Sequence, residues 1–198
     1  MTEHDYRAIL GFTDQWFSLG VMTDAILQEH IVVYESSDDQ NSEHYRYGAF
    51  RRYLREHRPL SADMVDALYE LGEADPDGAM GGSMMADILY LRECPESIFE
   101  KAAASDRKHL IKIVERRRLF AEMQQDTIPT ELFNRSMAFR DGLVQQHLVE
   151  TPGLSAEQLQ MLAEQGANKK IRHLASNELK HRSKAALCDA LEKVNDGS

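Results

Sequence analysis

The sequence predicts an all-α protein in which pairs of short helices stack side by side as an α-solenoid, behind an N-terminal helical cap. Three observations predict it. Apolar residues recur three or four apart through most of the chain, which is the period of one helical face. A two-helix cadence repeats through the second half and is plainest from Leu154 to Asn177. There a helix opens at Ser155, a Gly166-Ala167-Asn168 break follows, and a second apolar-faced helix runs on. Neither short helix can bury its stripe alone, so such units must stack on one another. No segment alternates as a strand does, and only 5 Pro and 11 Gly interrupt 198 residues.

Residues 1–58 are expected to form the cap, as two longer helices. Thr13 is a candidate N-cap, and Ile9, Phe12, Trp16, Leu19, Met22 and Ile26 share one face; Gly11 and Gly20 weaken a single rod. A polar loop from Ser36 leads to Ser42, which opens a helix through Tyr45, Ala49, Phe50, Tyr53 and Leu54 that stops before Pro59. Residues 59–198 carry the repeats, continuous with the cap as one structural domain. Ser61 caps a helix bearing Met64, Val65, Leu68 and Leu71, the Asp75-Pro-Asp-Gly78 turn breaks it, and a helix from Met80 to Leu91 follows. Pro95 begins the next unit, whose second helix restarts at Asp106. The third opens at Thr127-Ile-Pro-Thr130 and turns at Arg140-Asp-Gly142. In the fourth, Ser155 and Gln158 fit a capping box, and the Asn177-Glu178 region reads as a helix end. A last helix from Ser183 to Val194 closes the chain.

Register supports repetition. Val65, Phe99, Phe133 and Leu159 occupy matching places, as do Leu68, Ala102, Ser136 and Leu162. With Met64-Val-Asp-Ala-Leu-Tyr-Glu-Leu71, the Asp75-Pro-Asp77 turn and the apolar helix ending Ile88-Leu89, the chain resembles the HEAT-like family of α-solenoids, including its short bacterial leucine-rich-repeat variant. In the fourth unit Leu159, Leu162-Ala163, Ile171-Arg172, Leu174-Ala175 and Asn177 carry the likeness, over roughly residues 60–182 in all. The second and third units depart from it, lacking counterparts of Ile171-Arg172 and Asn177. The resemblance implies a right-handed stack of antiparallel helix pairs whose concave face holds other macromolecules. It implies no reaction.

Composition bounds the function. Apolar residues make up 42% and charged residues 28%, ordinary for a folded chain and too apolar for a disordered one. Runs such as Ile31-Val32-Val33 fall far short of a membrane span, and the acidic Met-Thr-Glu-His-Asp start is unlike a secretory signal. Cys94 and Cys188 suit neither a zinc cluster nor a disulfide framework, so a cytoplasmic protein with reduced thiols is expected. The net charge of -10 is uneven: residues 1–100 hold 20 Asp+Glu against 7 Arg and no Lys, whereas residues 101–198 hold 13 acids against 16 bases. Such a balance argues against a dedicated nucleic-acid binder.

Candidate chemistry is sparse. Glu178-Leu-Lys-His181 and Asp106-Arg-Lys-His109, with His173, are incomplete metal motifs, and solvated histidines explain them better. Asp75-Pro-Asp-Gly78 lacks the ligands of a calcium loop, and Gly78-Ala-Met-Gly-Gly-Ser83 follows no strand and so reads as a flexible helix entry. Met64, Met80, Met84 and Met85 read as core. No nucleophile elbow or cofactor motif is present, so no catalytic residue, metal or cofactor is expected. The basic run Arg107, Lys108, Lys112, Arg116, Arg117 and Arg118 reads as a solvated helix face.

One cluster stands out. Tyr45, Arg46, Arg51, Arg52, Arg55 and Arg58 share a helix within the acidic half. Arg with Tyr is the composition of protein-interface hot spots; the alternative, pairing with nearby Asp and Glu, is favoured by the abundance of acid. The leading expectation is a non-catalytic scaffold for a protein partner. The rival is a HEAT-like nucleic-acid binder or an enzyme resembling the DNA glycosylases of that family, which would need a basic groove that the net charge disfavours.

Overall fold

The computed structural model describes the backbone of residues 3–38 and 40–195, and the side chains of residues 6–38 and 40–185. Among these residues the chain is all-helical, with twelve helices and no strand. Among them, too, no helix is long and apolar enough to cross a membrane. The chain forms two compact units, Met1–Val114 and Glu115–Ser198. The first 58 residues therefore share a unit with the helices that follow them.

The first unit holds α1 (Glu3–Leu10), α2 (Asp14–Ser18), α3 (Asp24–Ser36), α4 (Ser42–Glu56), α5 (Ala62–Glu73), α6 (Gly78–Leu89), α7 (Glu96–Ala103) and the start of α8 (Lys108–Glu122). The single helix expected across Ile9 to Ile26 is instead three helices. Gly11 and Gly20 take left-handed φ values of 73° and 70°, which end α1 and α2 where an apolar period alone would continue. Ile9 turns outward at 39% exposure, and the buried set becomes Leu10, Phe12, Trp16, Val21 and Met22.

Local chemistry sets the later boundaries. Ser61 Oγ accepts from Met64 N and starts α5; Asp77 Oδ1 accepts from Met80 N and starts α6. Gly78 to Ser83 is therefore helix, not a flexible entry. Its glycines permit close packing: a Cβ on Gly81 would fall 2.2 Å from the Gly72 carbonyl oxygen, so α5 and α6 meet backbone to backbone. Met80, Met84 and Met85 are buried with Phe50, Leu68, Ile88 and Leu110. The second helix of the next pair opens at Lys108 rather than at Asp106.

The second unit holds the end of α8, α9 (Thr130–Ala138), α10 (Gly142–Glu150), α11 (Ala156–Gln165) and α12 (Lys169–Asn195). Asp141 Oδ1 caps α10 by accepting from Leu143 N and Val144 N. The Ser155–Gln158 capping box starts α11, and Asn168 Oδ1 accepts from Ile171 N at the start of α12. The helix end expected near Asn177-Glu178 does not occur, because α12 runs unbroken from Lys169 to Asn195. Ser176 and Ser183 return their hydroxyls to carbonyls four residues back, at Arg172 and Leu179, so neither competes with the helix. The apolar positions Ala186, Leu187, Leu191 and Val194, like Cys188, lie outside the described side chains. Leu119, Met123, Phe133, Leu148, Leu159, Leu162 and Ile171 form this unit's core.

Polar bridges repeat from pair to pair within each unit. Arg46 on α4 reaches Asp75 in the α5–α6 turn, and Arg116 on α8 reaches Asp141 in the α9–α10 turn. On α10, Gln145 Oε1 accepts from Ala167 N in the α11–α12 turn. At the opposite helix ends, Leu60 N donates to Glu93 and Ile128 N donates to the Gly153 carbonyl. All eight matched register positions, from Val65 and Leu68 to Leu159 and Leu162, are buried.

Candidate partner-binding site

Helix α4 has two faces of opposite character. Tyr45, Ala49, Phe50, Tyr53 and Leu54 recur at helical spacing and are buried. Gly48, Arg51, Arg52 and Arg55 fall on the other side, at spacings of three, four and seven from Gly48. With Leu54, with Arg58 just past the helix end, and with Asp87 and Tyr90 at the end of α6, they line an open depression of about 740 Å³.

The arginines of this depression are unequally held. Arg52 is the most engaged, with Nη1 2.7 Å from Glu29 Oε2 and Nε 3.1 Å from Glu56 Oε1. The hydrogen bond and charge of Glu29 push its pKa further up, so it stays charged throughout. Arg51 Nε stands 3.6 Å from Asp87 Oδ2, beyond a normal hydrogen bond, with 65% of its side chain exposed. Arg55 Nη2 is 3.9 Å from Glu56 Oε1 and its side chain is 73% exposed. Tyr47 Oη donates to Asp87 Oδ2 at 2.9 Å, orienting that carboxylate on the wall. Partial burial, then this hydrogen bond and the Asp87 charge, hold the Tyr47 hydroxyl above its ordinary value. The Tyr90 residue is half exposed beside them.

Tyr45 and Arg46 do not belong to this surface. Both are buried. Arg46 Nε and Nη2 donate to the two Asp75 carboxylate oxygens at 2.9 and 3.1 Å, and Nη1 donates to the Leu10 carbonyl and to Ser42 Oγ. Internal pairing is thus what Arg46 does, and it is much of what Arg52 does. Arg51, Arg55 and Arg58 are the residues of the cluster presented to solvent. Sequence reasoning missed Gly48, Leu54, Asp87 and Tyr90. A mid-helix glycine was a signal for the first; Asp87 and Tyr90 come from a separate helix, and nothing local announces them.

Several polar groups elsewhere in the chain are internally engaged. Arg107 Nη1 donates to the Gly78 carbonyl, and Arg116 Nη2 meets Asp141 Oδ2 at 2.8 Å with both side chains largely buried. Burial would raise the Asp141 pKa, but the Arg116 hydrogen bond and the Leu143 and Val144 N–H groups outweigh it and hold it below the usual carboxylate range. His173 and His181 share the unbroken α12, yet His173 Nε2 meets Asn177 Nδ2 and Glu178 pairs with Arg182. Among the described residues no three His, Cys, Asp or Glu side chains converge as metal ligands would. Tyr69 is fully buried, and its hydroxyl has no hydrogen-bond partner among the described residues.

No protein-family model, curated protein or solved structure matches this chain.

Proposed function

We propose that this chain is a non-catalytic α-solenoid that holds a protein partner in the cytoplasm, on the exposed arginine face of α4. The polar bridges recurring from helix pair to next turn, with the buried register positions, support the solenoid, because stacked repeats need equivalent contacts between neighbours. The HEAT-like resemblance belongs to the same reading.

The observation that carries the binding role is the loose pairing of Arg51 and Arg55 on an otherwise packed helix. Arginine is enriched at interface hot spots because its planar donors satisfy acceptors on the partner once water is excluded. The scaffold beneath is ordered by Phe50, Tyr53 and Leu54, so little conformational entropy is lost on binding.

The test is the full chain carrying Arg51→Glu, Arg55→Glu and Arg58→Glu, with unchanged helicity and melting temperature as controls. Affinity recovery from the native cell should lose a specific protein relative to the unsubstituted chain. An unchanged set of recovered proteins overturns the reading. Recovery abolished by nuclease instead transfers the site to the nucleic-acid alternative.

A further inference from the structure

We propose that the groove between α4 and α6 takes an extended acidic segment of the partner, with carboxylates on alternate residues. This deepens, and rests on, the partner-binding reading of α4. Charge complementarity is the first argument. Residues 1–100 carry 20 acids and only 7 Arg, and four of those seven line this one depression. An isolated cationic stripe in an acidic surround favours a short anionic segment that fits the stripe, while a long polyanion meets repulsion on every side.

Spacing supplies the second argument. Arg51 and Arg55 stand one helical step of four residues apart, a rise of about 6 Å. An extended chain repeats the same face every second residue, about 6.6 Å along. Carboxylates on alternate residues therefore reach successive guanidiniums without bending either chain. A single doubly charged group is less suited, because Asp87 stands 3.6 Å from Arg51 and repels charge concentrated there.

Gly48 is the third, independent argument. It lies inside α4 on the groove, with nothing within 4 Å of where a Cβ would stand. Glycine weakens a helix interior, and here no internal packing requires it. Gly81 differs, since the Gly72 backbone carbonyl excludes a side chain there. The notch at Gly48 instead keeps the groove floor open for a ligand backbone.

Fluorescein-labelled peptides of one composition test this by anisotropy on the full chain: one with Glu at alternate positions, one with its Glu residues clustered, and oligothymidylate of equal charge. The alternating peptide should bind about tenfold tighter than either competitor, weaken as salt rises, and lose about tenfold with Arg51→Glu and Arg55→Glu combined. Gly48→Ala should raise the melting temperature and still weaken peptide binding, a combination that misfolding cannot produce. Equal affinity for clustered and alternating peptides, tighter binding of oligothymidylate, or indifference to the charge reversal each overturns the inference. A photo-crosslinking aromatic residue in place of Tyr90, on the groove wall, in the native cell separates it from the reading beneath. Capture of a partner through a non-acidic segment removes the acidic-segment assignment and leaves the scaffold standing, whereas capture of no protein removes both.

Discussion

Arg46 and Asp75 meet as a two-point ion pair, 2.9 and 3.1 Å apart at its two contacts, with both side chains almost wholly out of water. The pair joins three places distant in sequence. Arg46 also donates to the Leu10 carbonyl at the end of α1, and Asp75 also accepts from Asp77 N before α6. Gly11 makes the meeting possible, since a Cβ there would fall 2.5 Å from Arg46 Nη1.

Removing one partner strands a buried charge, so Arg46→Met should cost about 3–5 kcal/mol in urea denaturation. Arg46→Met with Asp75→Asn should recover much of that loss. The neutral amide oxygen still accepts from Asp77 N, and no ion is left unpaired. A double variant no more stable than the single one would show that geometry, not charge, is what the pair supplies.

The α5–α6 contact leaves no room for a methyl group. Gly81→Ala should destabilise the chain by about 1–3 kcal/mol despite alanine's better helix propensity, because the two backbones must separate. Gly48→Ala is the matched control and should stabilise by about 1 kcal/mol. Thermal melts of the two variants should move in opposite directions.

Tyr69 offers a stabilising substitution. Its buried hydroxyl has no hydrogen-bond partner among the described residues, so Tyr69→Phe should gain about 1 kcal/mol. Burial, followed by the charge of Glu73, pushes its pKa from 10.0 up to about 12. The native state therefore holds this proton more tightly than the unfolded chain. Its contribution is complete below pH 10 and is lost as pH rises through about 12, in melts that Tyr69→Phe should flatten.

His30 contributes to the acid limb. It packs edge-to-face on Tyr45 at 5.7 Å and tilted on Phe12 at 6.1 Å. Burial lowers its pKa below 6.5; Glu29 opposes the shift and Arg52 adds to it. The unfolded chain then binds more protons, so stability should fall as pH drops below 6.5 and level off below the depressed native value. A variant with His30→Gln should lose that slope between pH 7 and 5, a window set by histidine's titration range.

How much was legible follows from how local each determinant is. Ser61, Ser155 and the Gly166-Ala167-Asn168 break announce helix ends through side chains that act within four residues, and those boundaries stand where the sequence placed them. The apolar period across Ile9 to Ile26 misled because it says nothing about φ. Gly11 and Gly20 end their helices through left-handed backbone that a pattern of side chains does not encode. At the site, arginine enrichment was visible but its division was not. Arg46 turns inward to an acid 29 residues away, while Arg51 and Arg55 remain outside beside residues of α6.

The division between the two units, after Val114, falls within α8 and not in a loop. Proteases cut backbone that can open into an extended strand, and a helix must unwind before it offers one. Digestion should spare this seam and begin in looser connections. A gene truncated at codon 114 would end on Lys108–Val114, about two turns whose last four carbonyls lose the N–H donors that the next turn supplies. Expressing either half cleanly calls for a cut on one side of α8 or the other.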